Sequence, residues 1–184
     1  MGVVVLDFET TGLSPANGEV VEFALVRVRG DEIGLHLASL CRPHGDIPYG
    51  AYRVHKISKQ MTAGYPSFED MLPEVLSFIG EDTVVCHNTP FDMGFMRAYC
   101  NRAGVPFDPP TGDTLAMARR LFPRLPSKSL GAVAGYLNID AGDAHRALAD
   151  AMVTAKAYII MSKMLEEQGM PVYVSAPRNG SASG

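Results

Sequence analysis

No run of apolar residues in this chain is long enough to span a bilayer. The apolar opening stretch is too short for a secretion signal and runs directly into Asp7. Met1-Gly2 invites myristoylation, but Leu6 stands where that signal needs Ser or Thr. Cysteine is scarce. Cys41, Cys86 and Cys100 are an odd number without metal-ligand spacing, which reads as reduced thiols in a cytoplasmic protein. In such a protein the sequon Asn179-Gly180-Ser181 carries no meaning. An excess of base is missing too. Lys and Arg number 16 against 20 Asp and Glu, a formal charge of −4, which argues against a broad cationic surface that grips duplex DNA non-specifically. It does not argue against a nucleic-acid substrate, because a cluster of acids meant for metal would itself contribute that sign. At 184 residues and 47% hydrophobic, the chain is long enough for one α/β domain with its own core, and neither an internal repeat nor a second domain is visible.

What the chain does have is Val3-Val4-Val5-Leu6 running into Asp7-Phe8-Glu9-Thr10-Thr11-Gly12. Side chains alternate along a strand, so Asp7 and Glu9 point to the same side. Two carboxylates one pleat apart make a hard, oxygen-rich site of the kind that holds Mg²⁺ or Mn²⁺. The plainer reading is a strand that has ended and a loop that has begun. This stretch alone does not separate the two.

Apolar residues on both faces of 3–8 suggest a central strand covered on each side. Val20 to Arg29, the turn Gly30-Asp31 and a returning strand at 32–41 form a hairpin. Residues 42–66, rich in Gly and Pro, read as a long irregular connection. Ser67 with Asp70 is a capping box opening a helix, Pro73 should kink it, and Gly80 closes it. A buried strand at 83–87 leads to a helix with Thr89 as N-cap and Pro90 first in the helix, ending at Gly104. Short helices follow at 114–122 and from Ser127. The last helix runs from about Ala144 to Gln168, with Leu148, Ala151, Met152, Ala155 and Ile159 inward. These features suggest a single domain over 1–168. A flexible tail is expected over 169–184, with Val172-Tyr173-Val174 its only sticky element.

Three more residues bear on the acids. Asp92 falls in the first turn of a helix that follows a buried strand, Asp150 lies in the last helix, and His145 lies five residues before it. Each has an ordinary explanation. Thr89 and Asp92 form a capping box, Asp150 is a solvated helix acid, and His145 is a surface residue near a helix start. Spacing sharpens the last pair. On a continuous helix, residues i and i+5 lie well apart around the axis, so His145 and Asp150 converge only if His145 sits in the first turn or the loop before it. Asp143 as N-cap would put it there. A histidine at such an end suits a group that takes up a proton and releases it.

Asp7-Phe8-Glu9-Thr10-Thr11-Gly12, His87-Asn88-x-x-Phe91-Asp92 and His145-x-x-x-x-Asp150 together resemble the three motifs of the DEDDh (DnaQ-like) 3′–5′ exonuclease superfamily. The resemblance covers nearly all of 1–165, most closely the proofreading branch that serves bacterial DNA polymerase III and its stand-alone relatives. Val54-His55-x-Ile57, Asp113-Thr114-Leu115 and Ser127-Lys128-Ser129-Leu130 fit as secondary matches. Lys56 stands where relatives often have Gly.

The resemblance implies an α/β, RNase H-like mixed sheet with one antiparallel strand, flanked by helices. It implies stepwise release of nucleoside monophosphates from single-stranded 3′ ends, DNA favoured, with two divalent cations, Mg²⁺ or Mn²⁺. Asp7, Glu9, Asp92 and Asp150 would be the metal ligands and His145 the general base. As substrate-binding residues, Thr10 and Thr11 (through the backbone near them) and Leu13 would contact the terminal nucleotide, and His55 would lie near the scissile region, a core or loop-stabilising role being its alternative. Phe91 reads as helix core. Arg119, Arg120, Arg124 and Lys128 could track a single strand, though a solvated helix face explains them as well. An oligoribonuclease would carry the same site. A non-catalytic subunit that binds a polymerase is the rival from another class, but it would be expected to have lost an acid or the histidine. A DNA polymerase subunit is a candidate partner, and no membrane is expected.

Overall fold

The computed structural model describes residues 2–142, 144–172 and 174–175. Along the chain they form β1 (Val3–Thr10), β2 (Val20–Arg29), β3 (Glu32–Leu40), α1 (Tyr49–His55), α2 (Lys59–Thr62), α3 (Phe68–Ile79) and β4 (Thr83–Cys86). There follow α4 (Thr89–Ala103), β5 (Thr111–Asp113), α5 (Thr114–Leu121), α6 (Leu130–Tyr136), α7 (Ala147–Glu167) and β6 (Val174–Ser175). The strands make one sheet in the order β3-β2-β1-β4-β5-β6. β2 runs antiparallel to β1 and β3, while β1, β4 and β5 are parallel. β2 is thus the antiparallel strand expected of an RNase H-like sheet, and the two-residue β6 adds an antiparallel edge on β5.

β1 lies in the interior of the sheet and sorts its side chains by parity. Val4, Leu6 and Phe8 join Phe68, Leu72, Met93, Phe95 and Met96 in a core under α3 and α4. Val5 packs on the other face against Ala147, Ala151 and Ala155 of α7. Those alanines recur every four residues, one stripe of a helix, and their small side chains let α7 lie close to the sheet. Leu148, Met152 and Ile159 flank the stripe, as their spacing predicted. Beyond it, α5, α6 and the end of α7 share a third cluster around Met117, Phe122, Val133 and Met161.

Several local readings hold. Ser67 and Asp70 cap α3 reciprocally, with N–H to oxygen distances of 3.3 and 3.1 Å, and Gly80 ends that helix at φ 56°. The helix continues through Pro73. Gly104 ends α4.

Other elements differ from the expectation. The connection at 42–66 is not wholly irregular. It holds α1 and α2, two helices too short to show an apolar period, the first opening after Pro48. β5, directly after the Pro-containing stretch 106–110, has only three residues and escapes a sequence reading for the same reason. The N-cap of α4 is Asn88, in the left-handed region at φ 80°, rather than Thr89. The Thr89 hydroxyl instead turns to the Gly112 and Cys86 carbonyls, stitching α4 to β5 and β4. α6 is capped by Ser129, not Ser127. α7 begins at Ala147, so His145 lies in the loop before it. Asp143, read as its cap, lies outside the described residues.

Past residue 168, Met170 and Val172 pack on the third cluster and Val174–Ser175 pair with β5. Tyr173 and residues 176–184, part of the stretch read as a tail, lie outside the described residues. Cys41, Cys86 and Cys100 are free and buried. No helix among the described residues is long and apolar enough to cross a membrane.

Candidate active site

The carboxylates gather where β1 ends. Asp7 and Glu9 share the parity of Val5, so both point toward α7. Asp150 lies in the first turn of that helix. One ligand atom each from Glu9, Asp150 and His145 lie within 4.8 Å of one another, close enough to share one cation. Asp92 approaches from α4, on the opposite side of the sheet. It is 4% exposed, and its Oδ1 accepts the Phe8 N–H at 3.1 Å. That bond fixes the Asp92 carboxylate against the backbone between Asp7 and Glu9, and it replaces the capping role read from the sequence.

Electrostatically these acids are crowded. Burial, with the charges of Asp92, Asp150 and Glu9, pushes Asp7 well above the ordinary carboxylate range. Burial raises Glu9 to about 8, with Asp150 and Glu22 adding and Arg146 opposing. Asp92 is raised to about 8, again chiefly by burial. Asp150 is raised by burial, while the His145 N–H that it accepts at 3.0 Å works against the shift. A cluster this reluctant to ionise fits cations. Positive charge in its midst would offset both the desolvation and the mutual repulsion.

His145 is exposed and has φ 65°, a left-handed conformation uncommon for a residue with a Cβ. The next residue holds the loop. Arg146 donates from Nε and Nη2 to both oxygens of Glu22 at 2.8–3.1 Å, and Glu22 also accepts the Ala147 N–H at 2.9 Å. Glu22 sits on β2 directly opposite Glu9. No feature local to 143–150 announces this cap, whose partner is more than a hundred residues away.

Beside the acids opens a cleft of about 430 Å³, lined by Phe8, Glu9, Thr10, Thr11, Leu13 and His55 among others. Every residue expected to meet substrate is therefore there. Thr10 and Thr11 also shape the loop. The Thr10 hydroxyl donates to the Gly12 carbonyl, and Thr11 Oγ1 accepts the Glu19 N–H. Leu13 stands 89% exposed at the rim. His55 is buried. Its Nδ1 accepts the Ile57 N–H at 3.0 Å, which leaves the proton on the buried Nε2, on the side of the Thr10 backbone. Burial lowers its pKa, with the Thr10 backbone opposing.

Phe91 corrects its reading. It touches Phe95 in the core, but it also forms part of the cleft wall. Gly50, Ala51 and Val54 of α1 were missed as lining, since the helix itself was not legible. His87 takes a structural place. Its ring nitrogens bond Thr114 Oγ1 at 2.9 Å and the Lys128 carbonyl at 2.8 Å. Lys128 departs from the basic run, its ammonium donating to the Pro123 and Leu125 carbonyls.

Residues 4–158 match the family model for exonucleases. The chain belongs to the exonuclease family. It is 35% identical over 177 residues to the DNA polymerase III subunit epsilon of Aquifex aeolicus, an alignment covering 95% of this chain and 88% of that one. It is 36% identical over 168 residues to the PolC-type DNA polymerase III of Thermotoga maritima, covering 91% of this chain but only 12% of that polymerase. Among solved structures, exonuclease X in complex with 5′ overhanging duplex DNA superposes with a TM-score of 0.72 at 28% identity, covering 92% of this chain and 95% of that one.

Proposed function

We propose that this exonuclease removes nucleoside monophosphates one at a time from single-stranded 3′ ends of DNA, in proofreading or repair. The observation that carries the reading is the convergence of Glu9, Asp150 and His145 on one point, beside a cleft that could take a nucleotide. Water attacks the terminal phosphorus, the bond from phosphorus to the O3′ of the preceding nucleotide breaks, and the shortened strand keeps a 3′-hydroxyl. Two divalent cations, Mg²⁺ or Mn²⁺, when bound would stabilise the charge that develops on the attacking and leaving oxygens.

In this reading Asp7, Glu9, Asp92 and Asp150 hold the cations, and the raised pKa values of all four favour it. His145 takes the proton of the attacking water. Its exposure suits exchange of that proton with solvent afterwards. Thr10, Thr11 and Leu13 seat the terminal nucleotide, and His55 supports the cleft wall beside Thr10.

DNA is favoured because the similar epsilon subunit belongs to a DNA polymerase and the similar exonuclease X was solved with DNA. The same likeness makes a polymerase subunit the proposed partner, and three reduced thiols suit a cytoplasmic setting. The test is incubation with 3′-ended DNA and RNA oligonucleotides, with Mg²⁺ or Mn²⁺ and with chelator. Stepwise mononucleotide release from DNA, lost in chelator and in Asp7→Ala, is expected. No release from either polymer despite bound metal would sink the proposal, and preferential release from RNA would overturn the choice of DNA.

A further inference from the structure

Two walls of the cleft come from separate parts of the chain. Thr10, Thr11 and Leu13 belong to the end of β1 and the loop after it, while Gly50, Ala51, Val54 and His55 belong to α1. α1 is lightly held. His55, at its last position, is its one buried residue. Asp46 and Lys59, on either side of the helix, meet at 2.5 Å and close the chain around it into a loop. Both are exposed, and an exposed pair of this kind holds little on its own. It also ties the loop only to itself, so the place of α1 against the first wall is set by other contacts.

Glu19 supplies one that reaches both walls. Its backbone holds the first. The Glu19 carbonyl accepts the Thr11 N–H at 2.8 Å, and the Glu19 N–H donates to Thr11 Oγ1 at 2.9 Å. Its side chain holds the approach to the second. Oε1 accepts the His44 N–H at 2.7 Å, and Oε2 accepts the Gly45 N–H at 2.8 Å. Bonds from amides to a carboxylate are charge-assisted, roughly twice as strong as neutral ones. Gly45 permits the close approach, since a Cβ there would stand 3.1 Å from Glu19 Oε2. Pro48 caps α1 just beyond.

We infer that Glu19 is a positioning residue for the substrate cleft, its carboxylate clasping α1 to the loop that carries Thr10, Thr11 and Leu13. Glu19 does not itself line the cleft, so it acts through the walls that do. The inference rests on the reading of the cleft as the seat of the terminal nucleotide. Opening the clasp frees α1 to swing outward. That weakens the hold on a 3′ end and leaves the acids of the site and the chemical step as they were.

The experiment measures kcat and KM with Mg²⁺ on a single-stranded DNA oligonucleotide for the wild type, Glu19→Ala, Glu19→Gln, Gly45→Ala and the double variant Glu19→Ala/Gly45→Ala. KM should rise about tenfold in Glu19→Ala, the scale of one charge-assisted hydrogen bond, with kcat kept. Glu19→Gln retains one acceptor oxygen and should fall between Glu19→Ala and the wild type. Gly45→Ala should raise KM by crowding the carboxylate. In the double variant the added methyl no longer meets that carboxylate, so its KM should equal that of Glu19→Ala. Amide hydrogen exchange should quicken across 46–56 in Glu19→Ala while β1 keeps its protection. Should Glu19→Ala fail to fold, the isosteric Glu19→Gln and Gly45→Ala carry the test. Unchanged KM in the single variants, additive effects in the double variant, or a fall in kcat at unchanged KM overturns the inference. A wild type that releases nothing from the oligonucleotide defeats the proposed function instead, so the two failures are distinguishable.

Discussion

Arg146 and Glu22 lock the entrance of α7 onto β2. The guanidinium makes three hydrogen bonds of 2.8–3.1 Å to a carboxylate that also caps the helix through the Ala147 N–H. His145 lies on one side of this lock and Asp150 one helical turn beyond it. The lock therefore sets the distance between proposed base and proposed ligand. Glu22→Ala should cost about 2 kcal/mol, from a lost helix cap and a charge-assisted pair, and lower Tm by roughly 4–8 °C. Turnover at saturating metal should fall about tenfold through misplacement. Arg146→Lys should keep most of the stability but not the turnover, because an ammonium cannot reproduce the planar fork. Equal turnover in Arg146→Lys and wild type would refute the positioning role.

His145 separates chemistry from stability. His145→Ala should lower kcat by roughly 10²–10⁴-fold with metal affinity retained. Calorimetric titration with Mn²⁺ checks the second half, and a large drop in affinity would refute the base role. His145→Gly should be as inactive, yet more stable by up to about 1 kcal/mol, because glycine adopts φ 65° without penalty.

Asp7→Asn should abolish mononucleotide release by roughly a thousandfold, the scale seen when a preorganised group at developing charge is removed. In chelator the same variant should melt higher than the wild type, since one of the mutually repelling acids is gone. Each kcal/mol relieved raises Tm by about 2–4 °C. A variant with full activity would remove Asp7 from the site.

The acids also set a pH dependence whose sign is unusual. Burial, with the neighbouring carboxylates, raises Glu9 and Asp92 to about 8 in the fold, well above the ordinary carboxylate range of about 4. Through that window the folded state binds more protons than the unfolded, so stability falls as pH rises from about 4 to 8. Metal-free protein should lose Tm across that range, and Mg²⁺ or Mn²⁺ should restore it at the alkaline end. A chelator-treated sample whose Tm rises steadily from pH 5 to 8 would contradict the crowding of these carboxylates.

Much of this was legible one residue at a time. The parity of Val3 to Glu9 placed Asp7 and Glu9 on one face because a central strand has no other way to bury two apolar sides. The Ser67–Asp70 box and Gly104 were visible because a helix end is settled within four residues. The start of α7 was not. Its cap, Glu22, comes from β2, and a local reading chose Asp143 instead. α1 escaped for a different cause. Seven residues are too few for a period, and with the helix went Gly50, Ala51 and Val54 as cleft lining. Phe91 shows a third limit, since one ring serves both core and cleft and apolar spacing reports only the first.

The crowded carboxylates have a consequence for any binding measurement. Near neutral pH the metal-free site carries protons on groups that a cation would need ionised. Loading it is then an exchange, cation in and protons out, and the apparent affinity should steepen with pH. The observed heat will include the buffer's own protonation. Titrations in phosphate and in Tris, whose ionisation enthalpies differ, should disagree by an amount that counts the protons expelled.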